Sequence, residues 1–223
     1  EAVRIDDVLQ EVMDMVSMRA GQTGVQLTLD AVGLPPGARV DGTKLRQVLL
    51  NLMSNAVKFT GQGNVTLRVA GTPVDGGQCE LAFAVIDDGP GISPIDQTRI
   101  FEPFIQAEGP GAKEGTGLGL TISREFVQLM GGVLSVQSVR GAGATFRFTI
   151  CAPVADAAQL AAAGGISAQE MHRARRLLTA PREGAGLRTA VPLAAADLAQ
   201  LAPDLRAQLK AALQELNLAR VAL

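Results

Sequence analysis

Two acidic residues and a glycine-containing turn follow an apolar segment near the middle of the chain. The apolar run from Leu81 to Ile86 predicts a buried strand, so Asp87 and Asp88 lie at its end. Glycines flank Pro90 in the turn that follows, and glycine lets a backbone approach a flat ligand closely. A carboxylate here can accept a hydrogen bond from an exocyclic amine. An ordinary turn is the alternative, because Asp-Gly and Pro-Gly are common turn sequences.

A second polar cluster lies within a predicted helix. Asn51 and Asn55 are four residues apart and Lys58 follows one turn later, so a helix presents all three on one side. An asparagine oxygen is a suitable ligand for Mg²⁺, and a lysine ammonium group suits a phosphate oxygen. The alternative is a solvated polar face. Asparagine is a poor helix former, however, and two of them within one helix favour a functional role.

Two further segments complete the set of candidates. Residues 115–120 read GTGLGL and precede a predicted helix, where free backbone N–H groups can bind phosphate. This stretch matches neither the dinucleotide fingerprint nor the P-loop. Residues 101–104 read FEPF, which predicts hydrophobic anchoring of the loop that begins there.

Alternating helix and strand patterns position these segments. Apolar residues at three- and four-residue spacing predict helices from Ile5 to about Ala20, from Asp41 to about Phe59 and from Leu118 to Met130. A short helical segment is expected within residues 94–104. Strand patterns cover residues 25–30, 65–70, 80–86, 133–139 and 145–150, and the second and third of these predict an antiparallel pair.

Composition restricts the class of protein. The 223 residues carry a formal net charge of -2 and no long basic run, so we expect no nucleic-acid partner. Cys79, Cys151 and the one histidine, His172, are too few for a zinc site and are typical of a reduced cytosolic protein. No apolar run reaches the roughly 20 residues of a membrane span, so we expect no direct membrane contact. The start at Glu1, without a methionine, predicts a fragment of a longer parent protein, and we expect this fragment to lie in the cytoplasm. The sequence leaves open whether the parent protein is anchored in a membrane.

In combination, the four segments resemble the ATP-binding catalytic domain (the Bergerat-type ATPase domain) of sensor histidine kinases of the hybrid kind. The order of the segments is also that of the family, and the resemblance covers roughly residues 3–151. It implies an α/β (α+β) two-layer sandwich with a mixed, mostly antiparallel sheet covered on one face by helices. It also implies ATP and Mg²⁺ as ligands.

The resemblance also implies roles for individual residues. Asp87 would bind the adenine amine, Asn55 would hold Mg²⁺, and Asn51 and Lys58 would act at the phosphates as catalytic residues. Residues 105–114 would form a lid over the nucleotide. The full set of implied ATP-binding residues is Asn51, Asn55, Lys58, Asp87, Gly89, Gly91, Ile92, Phe104, Gly115, Thr116, Gly117, Leu118, Gly119, Leu120 and Thr145.

The chain departs from the family in its phosphoacceptor. The family places an acceptor histidine on a dimeric helical hairpin before this domain, whereas His172 follows it and precedes an arginine. We therefore expect an acceptor domain in the parent, a response regulator as an indirect partner, and slow or no autophosphorylation by this chain alone. The alternative function is a regulatory module that binds ATP without transferring phosphate.

The helix and strand alternation stops near Pro153, which predicts two parts. Residues 1–152 would form the catalytic domain, and residues 153–223 a linker plus a helical C-terminal extension. Within this extension, residues 204–218 place leucines on one helical face, which we expect to contact a partner helix or the domain itself.

Overall fold

The structure, a computed structural model, describes residues 1–105 and 116–163. Its helices are α1 (Ile5–Thr23), α2 (Gly42–Thr60), α3 (Pro94–Arg99), α4 (Gly119–Leu129) and α5 (Ala157–Ala162). Its strands are β1 (Ala2–Val3), β2 (Val25–Val32), β3 (Ala38–Arg39), β4 (Gly63–Val74), β5 (Gln78–Asp87), β6 (Ser135–Ser138) and β7 (Ala144–Pro153). The three long predicted helices and five predicted strands are confirmed, with shifted ends. The pairing of β1 with β3 was not predicted, and α3 ends earlier than residue 104.

Five strands form one mixed sheet in the order β2-β4-β5-β7-β6. Strands β2 and β4 are parallel because α2 crosses between them, and the other neighbours are antiparallel. Strands β4 and β5 form the predicted antiparallel pair, in which Asp87 lies opposite Val65. These observations confirm the predicted fold class.

The core lies between this sheet and the helices. Side chains alternate along β5 and β7, so that Leu81, Phe83 and Phe148 are buried on one face while Arg147 and Thr149 point away from it. Phe83 and Phe148 stack with ring centroids 4.7 Å apart. Helix α2 contacts α1, α4, β4 and β5, and it is therefore the central element of the helical layer.

Capping and burial determine how α2 presents its polar residues. The Asp41 side chain accepts a hydrogen bond from the Lys44 backbone N–H at 2.9 Å and so caps the helix. The apolar face, which includes Leu45, Leu49 and Leu52, is fully buried against the core. Asn51, Asn55 and Lys58 are half-buried beside that face.

Packing continues beyond Pro153. The Ala155 backbone N–H donates to the Gly37 carbonyl oxygen at 2.9 Å, and Leu160 on α5 is buried. His172 and the predicted helix at 204–218 lie outside the described residues, so the division at 152/153 stays a prediction. None of the helices in the described ranges combines the length and the apolar character that crossing a membrane requires.

Candidate functional site

Asp87 is the last residue of β5 and one of the few polar side chains that the core buries, with 8% of its surface exposed. Its Oδ1 accepts hydrogen bonds from the backbone N–H groups of Gly89 at 2.9 Å and Ala144 at 3.3 Å. Burial raises the pKa of the Asp87 carboxyl above its usual value, and the two backbone hydrogen bonds oppose that rise. In the described part of the chain, the other carboxylate oxygen, Oδ2, has no hydrogen-bond partner and is not fully buried. It can therefore accept a hydrogen bond from a ligand.

The turn after Asp87 packs against the C-terminal end of α2. A Cβ on Gly89 would lie 2.7 Å from the Asp87 Oδ1 and 3.5 Å from the Phe59 backbone. Gly91 has a φ of 69°, and a Cβ there would overlap the Val139 carbonyl oxygen. Both glycines are therefore needed for the close approach of this turn to its neighbours.

The same turn is hydrogen-bonded to the β6–β7 connection. The Ile92 N–H donates to the Ser138 hydroxyl oxygen at 2.7 Å, and the Ser138 hydroxyl donates to the Gly143 carbonyl oxygen at 2.6 Å. The Gln97 amide donates to the carbonyl oxygens of Ile92 at 2.8 Å and Ser138 at 2.9 Å. This hydrogen-bond network holds the turn that follows Asp87 against the end of β6 and the β6–β7 connection.

Asn51, Asn55 and Lys58 lie along α2 between that turn and α4. The Asn51 amide donates from Nδ2 to the Ser123 hydroxyl oxygen at 2.9 Å. In the described part of the chain, the Asn55 amide has no hydrogen-bond partner. The Lys58 Nζ lies 5.1 Å from the centroid of the Phe59 ring. The structure therefore brings all three residues to one side of α2, as their spacing predicts.

The glycine-rich stretch forms the entry to α4. Gly117 has a φ of 69°, and a Cβ there would lie 2.8 Å from the Phe104 backbone. The Phe104 N–H donates to the Gly117 carbonyl oxygen at 3.0 Å, so the two ends of the intervening segment are joined. Gly115 and the predicted lid, apart from Ile105, lie outside the described residues.

The other implied residues occupy different environments. Phe104 has a φ of 64° and 74% of its surface exposed, so Phe101, which is buried, provides the hydrophobic anchor instead. The Leu118 N–H donates to the Thr116 hydroxyl oxygen at 3.4 Å. Leu120, like Ile92, packs against the core while partly exposed.

Thr145 lies on the opposite face of the sheet from Asp87. It pairs with Ile86, whereas its neighbours Ala144 and Phe146 face the core. The structure therefore does not bring the Thr145 side chain together with Asp87, and the backbone N–H of Ala144 makes that contact instead.

Sequence reasoning missed three side chains that support the site: Gln97, Ser123 and Ser138. Ser123 had a detectable signal, because it stands three residues after Leu120 and four before Val127, at a core-facing position of an amphipathic helix. Gln97 and Ser138 had none, since their partners are distant in sequence.

Comparison with known proteins identifies the protein family to which this chain belongs. Residues 40–154, just over half of the chain, match the family described as "Histidine kinase-, DNA gyrase B-, and HSP90-like ATPase". The chain belongs to this family of ATPases.

Individual relatives narrow the assignment. The chain is 46% identical over 131 residues to virulence sensor protein BvgS of Bordetella bronchiseptica, a match that covers 56% of this chain and 10% of BvgS. It is 40% identical over 157 residues to aerobic respiration control sensor protein ArcB of Escherichia coli, covering 69% of this chain and 20% of ArcB. Full-length ShkA, crystallised in complex with AMPPNP, is 37% identical with a TM-score of 0.60 over 70% of this chain and 32% of ShkA.

The matched region is the ATP-binding catalytic domain of a two-component histidine kinase. The chain spans a fifth or less of the length of the two curated relatives.

Proposed function

We propose that this chain binds Mg²⁺-ATP along α2 and transfers the γ-phosphate to a histidine on an acceptor domain outside the chain. The observation that carries the proposal is the buried Asp87 carboxylate, which two backbone N–H groups hold while Oδ2 stays available. Burying a carboxylate is costly, and a buried acceptor aimed at a ligand is a recurrent reason for bearing that cost.

The adenine end fits the residues around Asp87. Oδ2 would accept the exocyclic amine of adenine, and the glycine-lined turn at residues 89–91 leaves room for a flat base. Ile92 would contribute apolar contact. We leave Thr145 out of the proposed pocket because of the face on which it lies.

The phosphate end fits the polar side of α2 and the entry to α4. Asn51 and Phe59 are eight residues apart, which corresponds to about 12 Å along a helix, a span suited to an extended nucleotide. Lys58 would contact phosphate oxygens, and backbone N–H groups of residues 117–120 would bind phosphate at the α4 N-terminus. The predicted lid would exclude water.

The donor set also fits Mg²⁺. The amide oxygens of Asn51 and Asn55 are hard neutral ligands, and Mg²⁺ in phosphate sites takes few protein ligands beside substrate oxygens and water. In the described ranges no three His, Cys, Asp or Glu side chains form a metal cluster. Bound Mg²⁺ would supply neutralisation of phosphate charge.

The residues of the chain would act mainly by positioning, as phosphoryl transfer requires. An asparagine amide does not take up a proton near neutral pH, so Asn51 cannot serve as a general base for water. That property favours transfer to a protein acceptor over rapid hydrolysis. The proposed partners are a phosphoacceptor histidine domain and, indirectly, a response regulator. The proposed location is the cytoplasm, where ATP is available.

Supplying an acceptor tests the proposal. The chain is incubated with Mg²⁺-ATP and the dimeric acceptor helices of the parent kinase, and phosphohistidine is measured by acid-labile, alkali-stable labelling. We expect label on the acceptor helices and none on His172. Asn55→Ala should abolish the label, whereas Gln47→Ala, an exposed change on the same helix, should leave it unchanged.

The alternative outcomes separate the functions. ATP binding without phosphohistidine would favour a regulatory module that holds ATP. Absence of ATP binding would contradict both functions, and label on His172 would contradict the external acceptor.

A further inference from the structure

Ser123 on α4 is, beside Asp87, the other polar side chain that the described part of the chain buries, with 2% of its surface exposed. A buried hydroxyl without a hydrogen-bond partner is unfavourable. The Ser123 Oγ accepts the hydrogen bond from the Asn51 Nδ2 at 2.9 Å, across 72 residues of sequence. Each of the two buried polar residues therefore makes a hydrogen bond to an element of the candidate site, Ser123 to α2 and Asp87 to the turn that follows β5.

Two contacts from α4 determine the orientation of the Asn51 amide. Nδ2 is directed to Ser123, and Oδ1 lies against Gly119, where a Cβ would overlap it. Ser123 and Gly119 are four residues apart, so they share one face of α4. The amide oxygen therefore faces the first residue of α4, at the helix end where free N–H groups bind anions.

We propose that Ser123 is a positioning residue that holds the Asn51 amide with its oxygen toward the phosphate end of the site. This inference rests on the proposed function, because it gives Ser123 a role in binding Mg²⁺-nucleotide. An amide oxygen is a ligand for a hard cation, whereas the amide NH₂ group is a donor only. An amide released from Ser123 presents either end, so binding of the Mg²⁺ complex weakens while contacts to adenine stay intact.

A double-mutant cycle on the chain tests this coupling. The affinities of wild type, Ser123→Ala, Asn51→Ala and the double variant for ATP are measured by calorimetry in Mg²⁺ and in EDTA. We expect Ser123→Ala to weaken binding in Mg²⁺ by about two- to tenfold, the range of one hydrogen bond, and to leave binding in EDTA unchanged. In the Asn51→Ala background the Ser123 substitution should have no further effect.

Cys79→Ala is the matched control, because it removes a similarly small buried group from β5 at a distance from the site. It should leave both affinities unchanged. Equal affinities for wild type and Ser123→Ala in Mg²⁺, or an undiminished effect in the Asn51→Ala background, would overturn the role of Ser123. Failure of the wild type to bind ATP at all would instead overturn the proposed function.

A second test of the proposal uses only the wild type, so it does not depend on whether a variant folds. In a ¹⁵N spectrum of the nucleotide-free chain, the side-chain NH₂ protons of Asn51 should exchange with solvent more slowly than those of Asn55. Equal exchange would show that Ser123 does not hold the amide, and would refute the proposal.

Discussion

Replacing Asp87 with asparagine separates its contacts to the fold from its contact to a ligand. Oδ1 accepts from the backbone N–H groups of Gly89 and Ala144, and an asparagine oxygen can accept both hydrogen bonds. Only Oδ2 changes, from an acceptor to an NH₂ donor that would face the donating amine of adenine. Asp87→Asn should therefore leave the fold intact and abolish tight ATP binding.

The expected magnitude follows from the chemistry of that one atom. A hydrogen bond to a charged group contributes about 1.5–3 kcal/mol, and 1.4 kcal/mol corresponds to a tenfold change in affinity. The affinity should fall by about tenfold to more than a hundredfold. In Asp87→Ala, by contrast, two backbone N–H groups lose their acceptor, which should destabilise the fold by about 1–3 kcal/mol for each group.

Calorimetric titration with Mg²⁺-ATP and urea unfolding measure the two effects independently. Asp88→Asn is a suitable comparison, because Asp88 accepts hydrogen bonds from the backbone and side chain of Asn64 and lies outside the proposed contact. Asp88→Asn should bind ATP like the wild type. Unchanged ATP affinity in Asp87→Asn would refute the reasoning and would reduce the stretch to an ordinary turn.

Three further outcomes are expected. Burial raises the pKa of Asp87, so the folded state favours the protonated carboxyl over the carboxylate. The free energy of unfolding of the wild type, relative to that of Asp87→Asn, should be greatest below pH 3.8, the ordinary pKa of the group, and should fall as the pH rises through the raised pKa. Urea unfolding at a series of pH values measures this difference. Gly91 has a φ of 69°, and a Cβ there would overlap the Val139 carbonyl oxygen. Gly91→Ala should therefore lose at least about 1 kcal/mol of stability and should also bind ATP more weakly. Stability and ATP affinity equal to those of the wild type would contradict this prediction. Asp41→Ala should cost about 1 kcal/mol through loss of the α2 cap, with no change in ATP affinity by calorimetry, because Asp41 lies at the end of α2 remote from Asn55.

Local sequence patterns were sufficient for the elements that carry the site. The apolar spacing around Leu45 and Leu49 fixed both the extent of α2 and the side on which Asn51 and Asn55 lie. The apolar run before Asp87 correctly indicated a buried strand that ends at the carboxylate. In both cases the signal has the period of the element itself, so no tertiary information is needed.

The contacts between elements were not accessible in this way. The hydrogen bond between Asn51 and Ser123 depends on how α2 and α4 pack, which is a tertiary property. The pairing of β1 with β3 involves only two residues on each strand, too few for a periodic signal. Thr145 was implied by resemblance alone, and strand alternation puts it on the face away from Asp87.

Hydrogen–deuterium exchange with and without Mg²⁺-ATP tests the central claim most directly, because it locates the nucleotide on the chain. The proposed site predicts protection on ATP addition in residues 51–59, 87–92 and 116–123, and no change in residues 1–3, 38–41 and 151–153 at the other end of α2 and the sheet. Protection confined to those other residues, or no protection at saturating ATP, would contradict a nucleotide site along α2.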